Sequence, residues 1–361
     1  MRIALVSDAW APQVNGVVRT LTTTVARLAE RGHDVRLVVP SQFRSVACPG
    51  YPEIRLALTP FRRVANMLSG IAPDAVHIAT EGPLGWAARR WCLREGRAFT
   101  TSFHTRFADY MAIRTRLSPA LFWAPLDRFH RPAARVFAAT PTLEAELRAR
   151  GYAFTHRWGR GVDVSAFTPH GPRLPEITSL PAPRLLHVGR LAAEKNVDAF
   201  LSLDLPGSKV VVGDGPARAA LQQRFPDVHF MGALHGDRLA AAYRSADCFV
   251  FPSRTDTFGL VMAEALASGV PVAAFPVPGP IDVVTGTNIG ALDDDLRSAI
   301  VRALTADRTA CAAAGQTFDW ERCTDQFLSG LSPKWQTGIA TRASPEAFPT
   351  LGEPDLAAAQ R

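Results

Sequence analysis

Short apolar and β-branched runs alternate along this chain with segments whose apolar positions recur every three or four residues. Runs at 2–7, 35–39, 74–79, 98–103 and 135–139 predict strands, and helical spacing predicts helices near 17–31, 83–95, 118–134 and 141–150. That rhythm is a parallel sheet with helices on both faces. A stretch without any periodic apolar face follows, punctuated by Pro169, Gly171, Pro172, Pro175, Pro181 and Pro183, and reads as a linker. The rhythm then restarts, with strands at 184–189, 208–213, 227–231, 247–252 and 271–275 and helices near 216–224, 236–246, 258–268 and 293–305. From Pro333 onward Pro, Ala, Thr and Gly dominate, which predicts a poorly ordered tail. The expected architecture is α/β: two Rossmann-like, doubly wound domains at 1–168 and 184–332, joined by a linker at 169–183 and followed by the tail 333–361. Such domains, facing each other, leave a cleft at the carboxyl ends of both sheets, where sheets of this kind bind ligands.

Length and composition agree with this division. The 361 residues suit two domains, and 47% hydrophobic with 20% charged residues is ordinary for a globular enzyme. Five cysteines (Cys48, Cys92, Cys248, Cys311, Cys323) form no CxxC pair, so neither a disulfide framework nor a zinc site is expected, and a reducing cytoplasm is the natural compartment. The opening apolar run Ile3–Val6 is too short for a signal peptide, and no stretch approaches about 20 uninterrupted apolar residues, so a secreted or membrane-spanning chain is not expected.

Charge changes the picture in one region. Residues 88–160 carry fourteen arginines against five acidic residues, interleaved with Trp91, Phe103, Phe107, Tyr110, Phe122, Trp123 and Phe129. Such a surface suits anionic lipid headgroups or nucleic acid. A solvated helix surface is the plainer reading, because arginine is the general cation of this chain and lysine occurs only at 195, 209 and 334.

Two clusters carry candidate chemistry. Strand 184–189 runs into Gly189-Arg190-Leu191-Ala192-Ala193-Glu194-Lys195, so two cations leave a strand end five residues apart. Arg190 offers a planar fork for phosphate oxygens and Lys195 a point charge, a pair able to stabilise a departing diphosphate without metal. Alone, the pair is more often solvated. The second cluster runs Pro252-Ser253-Arg254-Thr255-Asp256-Thr257-Phe258-Gly259-Leu260-Val261-Met262-Ala263-Glu264, from a strand through a turn into a helix. Thr257, Phe258 and Gly259 would present backbone N–H groups at the helix start, and Glu264 would accept from a ribose diol if it faces the cleft. The plainer reading makes Asp256 a helix cap and Glu264 a solvent-facing residue.

The ordered set Val14-Asn15-Gly16-Val17, His104, Gly161-Val162-Asp163, Gly189-Arg190 with Lys195, and Asp256 through Glu264 resembles the retaining nucleotide-sugar glycosyltransferases of family four, which have the GT-B fold. The resemblance spans nearly all of residues 1–330. It implies that Arg190 and Lys195 hold the donor diphosphate, that Glu264 binds ribose, that Gly16 lets backbone N–H groups approach the donor phosphate, and that His104 lies against the donor sugar. The family pattern is Glu-x7-Glu, and this chain has Asp256 at the first position. The implied reaction is hexose transfer from GDP-mannose or a UDP-hexose to an acceptor held by the N-terminal domain, by same-face attack and without metal or other cofactor. The segments Asp8-Ala9-Trp10 through Leu21 and His77 through Gly85 look most like the branch that glycosylates diacylglycerol-type lipids or their glycolipids, including α-mannosyltransferases. A lipid acceptor and an anionic membrane are therefore the expected partners, with the protein peripheral on the inner face of the cytoplasmic membrane and nucleic acid not expected.

Other motifs are weaker. Asp293 and Asp295 form Asp-x-Asp, but they precede an apolar-periodic helix and read as N-terminal acids. Gly213-Asp214-Gly215 lacks the third glycine of a dinucleotide fingerprint, and no Gly-x-Ser-x-Gly or phosphate-loop motif occurs. The competing classes are a transferase with a soluble or polysaccharide acceptor, a sugar phosphorylase or nucleotide-sugar epimerase, a non-catalytic nucleotide-sugar binder, and a basic nucleic-acid-binding protein.

Overall fold

Fourteen short strands build the described chain into two six-stranded parallel sheets and one hairpin. The computed structural model describes residues 1–331 apart from 14, 49, 50, 59 and 60, together with all their side chains except those of 48, 51–54, 113 and 114. The expected tail at 333–361 and Val14 lie outside the described residues.

In the first domain, β1 (Arg2–Val6), β2 (Asp34–Val38), β5 (Ala75–Ile78), β6 (Thr100–Phe103), β7 (Arg135–Ala138) and β8 (Thr155–Arg157) are ordered β2-β1-β5-β6-β7-β8. The antiparallel pair β3 (Ser45–Cys48) and β4 (Tyr51–Ala57) stands apart as a two-stranded sheet. In the second domain, β9 (Arg184–Val188), β10 (Ser208–Val212), β11 (His229–Gly232), β12 (Cys248–Phe251), β13 (Val272–Ala274) and β14 (Gly290–Leu292) are ordered β11-β10-β9-β12-β13-β14. The central strands β5, β6 and β12 are buried at every position, as parallel strands with both faces covered must be. In each sheet the chain first builds outward and then returns to the other side of its first strand. Those switch points, between β1 and β5 and between β9 and β12, are where ligands bind in open parallel sheets.

The boundaries differ from the expected ones at two places. Leu174 and Ile177 of the linker are buried in the second domain's core, and the Leu174 N–H donates to Ser245 Oγ at 2.8 Å. The second domain was expected to run to 332, but the helix Trp320–Gly330 crosses back onto the first sheet. Its Trp320, Cys323 and Phe327 pack with Ile3, Leu5, Phe137 and Trp158, an apolar stripe at three- and four-residue spacing that only the first domain can bury.

The aromatic stretch is also resolved differently from its surface reading. Trp91, Phe103, Trp123 and Phe129 are core residues, and Phe122 packs partly buried against them. Phe103 stacks on Trp123 at 5.6 Å, and the Arg150 guanidinium lies 3.5 Å above the Trp123 ring. Several arginines are spent inside the fold. Arg106 pairs with Glu146 at 2.7 Å, and Arg135 donates to the Ser329 and Gly330 carbonyls at 3.2 and 3.0 Å. Four of the five cysteines, Cys92, Cys248, Cys311 and Cys323, are free and buried.

Candidate active site

The loop after β9 and the loop after β12 meet at the second domain's switch point. Lys195, closing a 3₁₀ turn at Ala193–Lys195, donates from Nζ to Asp256 Oδ1 at 2.6 Å. Burial works to raise the Asp256 carboxyl, but the adjacent ammonium outweighs it and holds the group below its ordinary range. Burial likewise disfavours the Lys195 cation, and Asp256 more than compensates, holding it well above its usual value. Both groups therefore stay charged. Asp256 Oδ2 is buried without a hydrogen-bond partner, which leaves an acceptor available beside the cation. Arg190 follows β9 after Gly189 and is half-buried at the same strand end.

Asp256 is thus an ion-pair partner and not a helix cap. The cap position of the helix Leu260–Ala267 belongs to Gly259, whose φ of 81° is left-handed; a Cβ there would sit 2.7 Å from Met262 Cε. Phe258 contributes its backbone only, because its ring is in the core, 5.7 Å from Phe318. The helix itself is apolar nearly all round, so Glu264 is carried into the interior at 1% exposure instead of facing solvent. Burial raises its carboxyl, against the opposing pull of Arg19 and Tyr243. Tyr243 donates to Glu264 Oε2 at 2.9 Å, and Arg19 NH1 donates to Oε1 from the first domain.

The first domain supplies the facing wall. Gly16 opens the helix Gly16–Glu30, capped by Asn15 Oδ1 accepting from Val18 N at 2.9 Å, and a Cβ on Gly16 would lie 3.3 Å from Leu260 Cδ1. His104 directly follows β6 and is 7% exposed. Its carbonyl accepts from Thr257 Oγ1 at 2.8 Å, its Nδ1 receives a hydrogen bond from Arg160 NH2 at 3.0 Å, and its Nε2 is buried without a partner. Burial first, then Arg160, keep the imidazole neutral. Asp8, after β1, accepts from Leu84 N (2.8 Å), Gly85 N (3.2 Å) and Thr80 Oγ1 (3.0 Å); burial nevertheless raises it to about 6. Arg19 to Glu264, Thr257 to His104, and Thr142 Oγ1 to Asp282 at 2.9 Å tie the two domains across the cleft.

Two family models cover most of the chain: "Glycosyltransferase Family 4" matches residues 14–166 and "Glycosyl transferases group 1" matches residues 182–306. A GDP-mannose-dependent alpha-mannosyltransferase of Mycobacterium tuberculosis is 34% identical, over 81% of this chain and 83% of that protein. The chain belongs to glycosyltransferase family 4. It is a glycosyltransferase with the two-sheet GT-B architecture. An alpha-monoglucosyldiacylglycerol synthase of Streptococcus pneumoniae is 26% identical, over 85% of this chain and 79% of that protein. Sucrose-phosphate synthase from Thermosynechococcus elongatus shares the fold at a TM-score of 0.71 and 21% identity, over 91% of this chain and 97% of that one.

Among the family-4 motif residues, Lys195 and Asp256 form one cluster, Glu264 a second, and His104 meets the loop between them through Thr257. Asp293 and Asp295 stand apart: Asp295 caps the helix Leu296–Ala303 by accepting from Arg297 N, and Asp293 pairs with Arg302 at 2.9 Å. Three contributors escaped the sequence reading. Arg19 and Tyr243 grip Glu264, and Arg160 grips His104. Arg160 directly precedes Gly161-Val162-Asp163, the one signal that pointed to it; Tyr243 gave none, lying in an amphipathic helix outside any motif.

Proposed function

We propose that this glycosyltransferase moves a hexose from a nucleotide diphosphate sugar, GDP-mannose or a UDP-hexose, to a hydroxyl of a diacylglycerol-type lipid or glycolipid, with retention and without metal. The observation that carries this reading is the part-buried Lys195–Asp256 pair at the switch point, with the buried carboxylate of Glu264 one turn into the helix that follows. In this reading the acceptor oxygen attacks the anomeric carbon as the bond to the diphosphate breaks. The acceptor proton leaves on the departing phosphate oxygen of the same face, and Arg190 and Lys195 take up the developing charge. Asp256 keeps Lys195 in place, the N–H groups of Thr257, Phe258 and Gly259 steady the donor, and Glu264 accepts from ribose. GDP-mannose is favoured as donor by the mycobacterial relative and a lipid acceptor by the diacylglycerol synthase.

No helix among the described residues is long and apolar enough to cross a membrane. A peripheral attachment is supported instead by exposed Phe107, Leu117 and Leu121, at 47%, 52% and 63%, beside exposed Arg116 and Arg128. These residues replace Trp123 and Phe129 as the apolar component; the side chain of Arg114 lies outside the described residues. Each arginine near an anionic surface contributes about 1 kcal/mol, and the apolar component persists when salt rises.

Mass spectrometry of lipid extracts after incubation with GDP-mannose and UDP-hexoses tests the reaction. A lipid gaining one hexose from one donor is expected. Sugar transferred only to water-soluble acceptors overturns the lipid assignment, and release of nucleotide without any glycoside overturns the transfer reading. Sedimentation with anionic vesicles should fall for the double variant Arg116→Glu and Arg128→Glu; equal sedimentation would remove this surface from the account.

A further inference from the structure

His104 is held in a way that fixes where its proton sits. A guanidinium has donors and no acceptor, so the 3.0 Å contact from Arg160 NH2 requires an unprotonated Nδ1. The other ring nitrogen must then carry the proton. That nitrogen, Nε2, is buried and has no partner in the free protein. A buried donor left unpaired carries the full cost of losing its water, which is a reason to expect a ligand oxygen there.

Arg160 is itself immobilised. It is 7% exposed, its NH1 donates to the Trp158 and Gly159 carbonyls at 2.7 and 2.9 Å, and its Cζ lies 5.0 Å from the Trp158 ring. The same indole meets the His104 ring edge-on at 5.4 Å, so one Trp158 side chain braces both partners. The charged and titratable groups acting on His104 are Arg160, His77 and His130. Burial pushes the Arg160 guanidinium down to about 10, still cationic near neutrality, and a fixed cation at Nδ1 disfavours a second proton on the ring.

We propose that Arg160 is a positioning residue that locks His104 as a neutral Nε2–H donor, presented to an oxygen of the donor hexose. The inference rests on the hexosyl-transfer reading for the identity of that oxygen, and on the Arg160 contact alone for the tautomer. One consequence is chemical: Nε2 already carries its proton, so His104 holds the sugar and does not deprotonate the acceptor.

The experiment is ¹⁵N-histidine NMR on the full chain, with the His104 signals assigned by comparison with His104→Gln. The wild-type ring should show a protonated Nε2 and bare Nδ1 that do not titrate between about pH 5 and 8. In Arg160→Met the ring should take up both tautomers, while burial still keeps it neutral across that window. Turnover should fall on the order of tenfold to a hundredfold. Arg160→Lys, which retains a charged donor, should restore the single tautomer in part; it serves as the test if the methionine variant does not fold. A protonated Nδ1 in wild type, titration of wild-type His104 in that window, or an unchanged tautomer in a folded Arg160→Met overturns the proposal. The NMR result decides the tautomer even in a preparation that turns over no donor, so its failure is distinct from failure of the transfer reading.

Discussion

The two walls of the cleft are built from opposite chemistry. On the second domain's side the candidate groups are charges matched by charges: Lys195 with Asp256, and Glu264 with Arg19 reaching over from the first domain. On the first domain's side rings and hydroxyls predominate, with Arg160 as a buried cation behind His104 and Asp8 as a buried carboxyl. His77 sits between Thr100 Oγ1 at 2.8 Å and Ser102 Oγ at 2.9 Å, and burial pushes it down to about 3. His130 bonds Thr101 Oγ1 at 2.9 Å, and His104 is held neutral. Among the described residues Asp8 pairs with no cation and accepts from backbone N–H groups and the Thr80 hydroxyl. The difference follows from what each wall would face. A diphosphate needs fixed positive charge that survives burial, and an ion pair keeps Lys195 charged where a lone ammonium would lose its proton. A sugar needs hydrogen-bond donors and acceptors of defined direction, which uncharged groups supply without a large desolvation cost.

The sharpest way to break this contrast is at the ion pair. Lys195→Ala should lower turnover on the order of a hundredfold or more with the fold intact, and Arg190→Ala should do the same, because each removes charge from the leaving diphosphate. Steady-state rates near wild type in both variants would reject the cationic wall. Glu264→Gln should act on binding more than on chemistry, since a ribose contact exists equally in the ground and transition states: donor KM is expected to rise roughly tenfold with kcat nearly unchanged. Asp8 marks the other wall by pH. Its carboxyl is raised to about 6 by burial, whereas an unfolded aspartate ionises near 3.9, so its stabilising contribution is present below about pH 4 and lost as pH rises through 6. Urea unfolding should therefore show Asp8→Asn gaining stability relative to wild type, by on the order of 1–3 kcal/mol, between about pH 4 and pH 7. A constant difference across that range would mean that Asp8 is ionised throughout. The smallest expected effect is none: a chelator should leave turnover unchanged, and loss restored by magnesium or manganese would show that Arg190 and Lys195 do not suffice.

The parallel sheets were legible because apolar strand runs and helical spacing are local signals. What stayed hidden were elements whose apolar faces depend on distant partners. The helix Trp320–Gly330 is an example, since its stripe makes sense only against Ile3 and Leu5 at the other end of the chain. The arginine-rich stretch misled for a related reason. Arginines interleaved with aromatics read as a surface, but Arg97 over Trp91 at 5.0 Å and Arg150 over Trp123 at 3.5 Å are stacked within the fold. The motif residues of the cleft were visible one at a time, whereas their grips were not. Arg19 lies 245 positions from Glu264 and Arg160 lies 56 from His104, and no spacing rule connects them.

The central claim, a cationic wall built for a nucleoside diphosphate, is tested most directly by calorimetric titration of the wild type, Arg190→Ala and Lys195→Ala with GDP and with UDP. The account predicts that one of the two nucleotides binds the wild type and that each substitution weakens it at least about tenfold while the unfolding midpoint is retained. Binding of neither nucleotide, or equal binding by all three proteins, would contradict it.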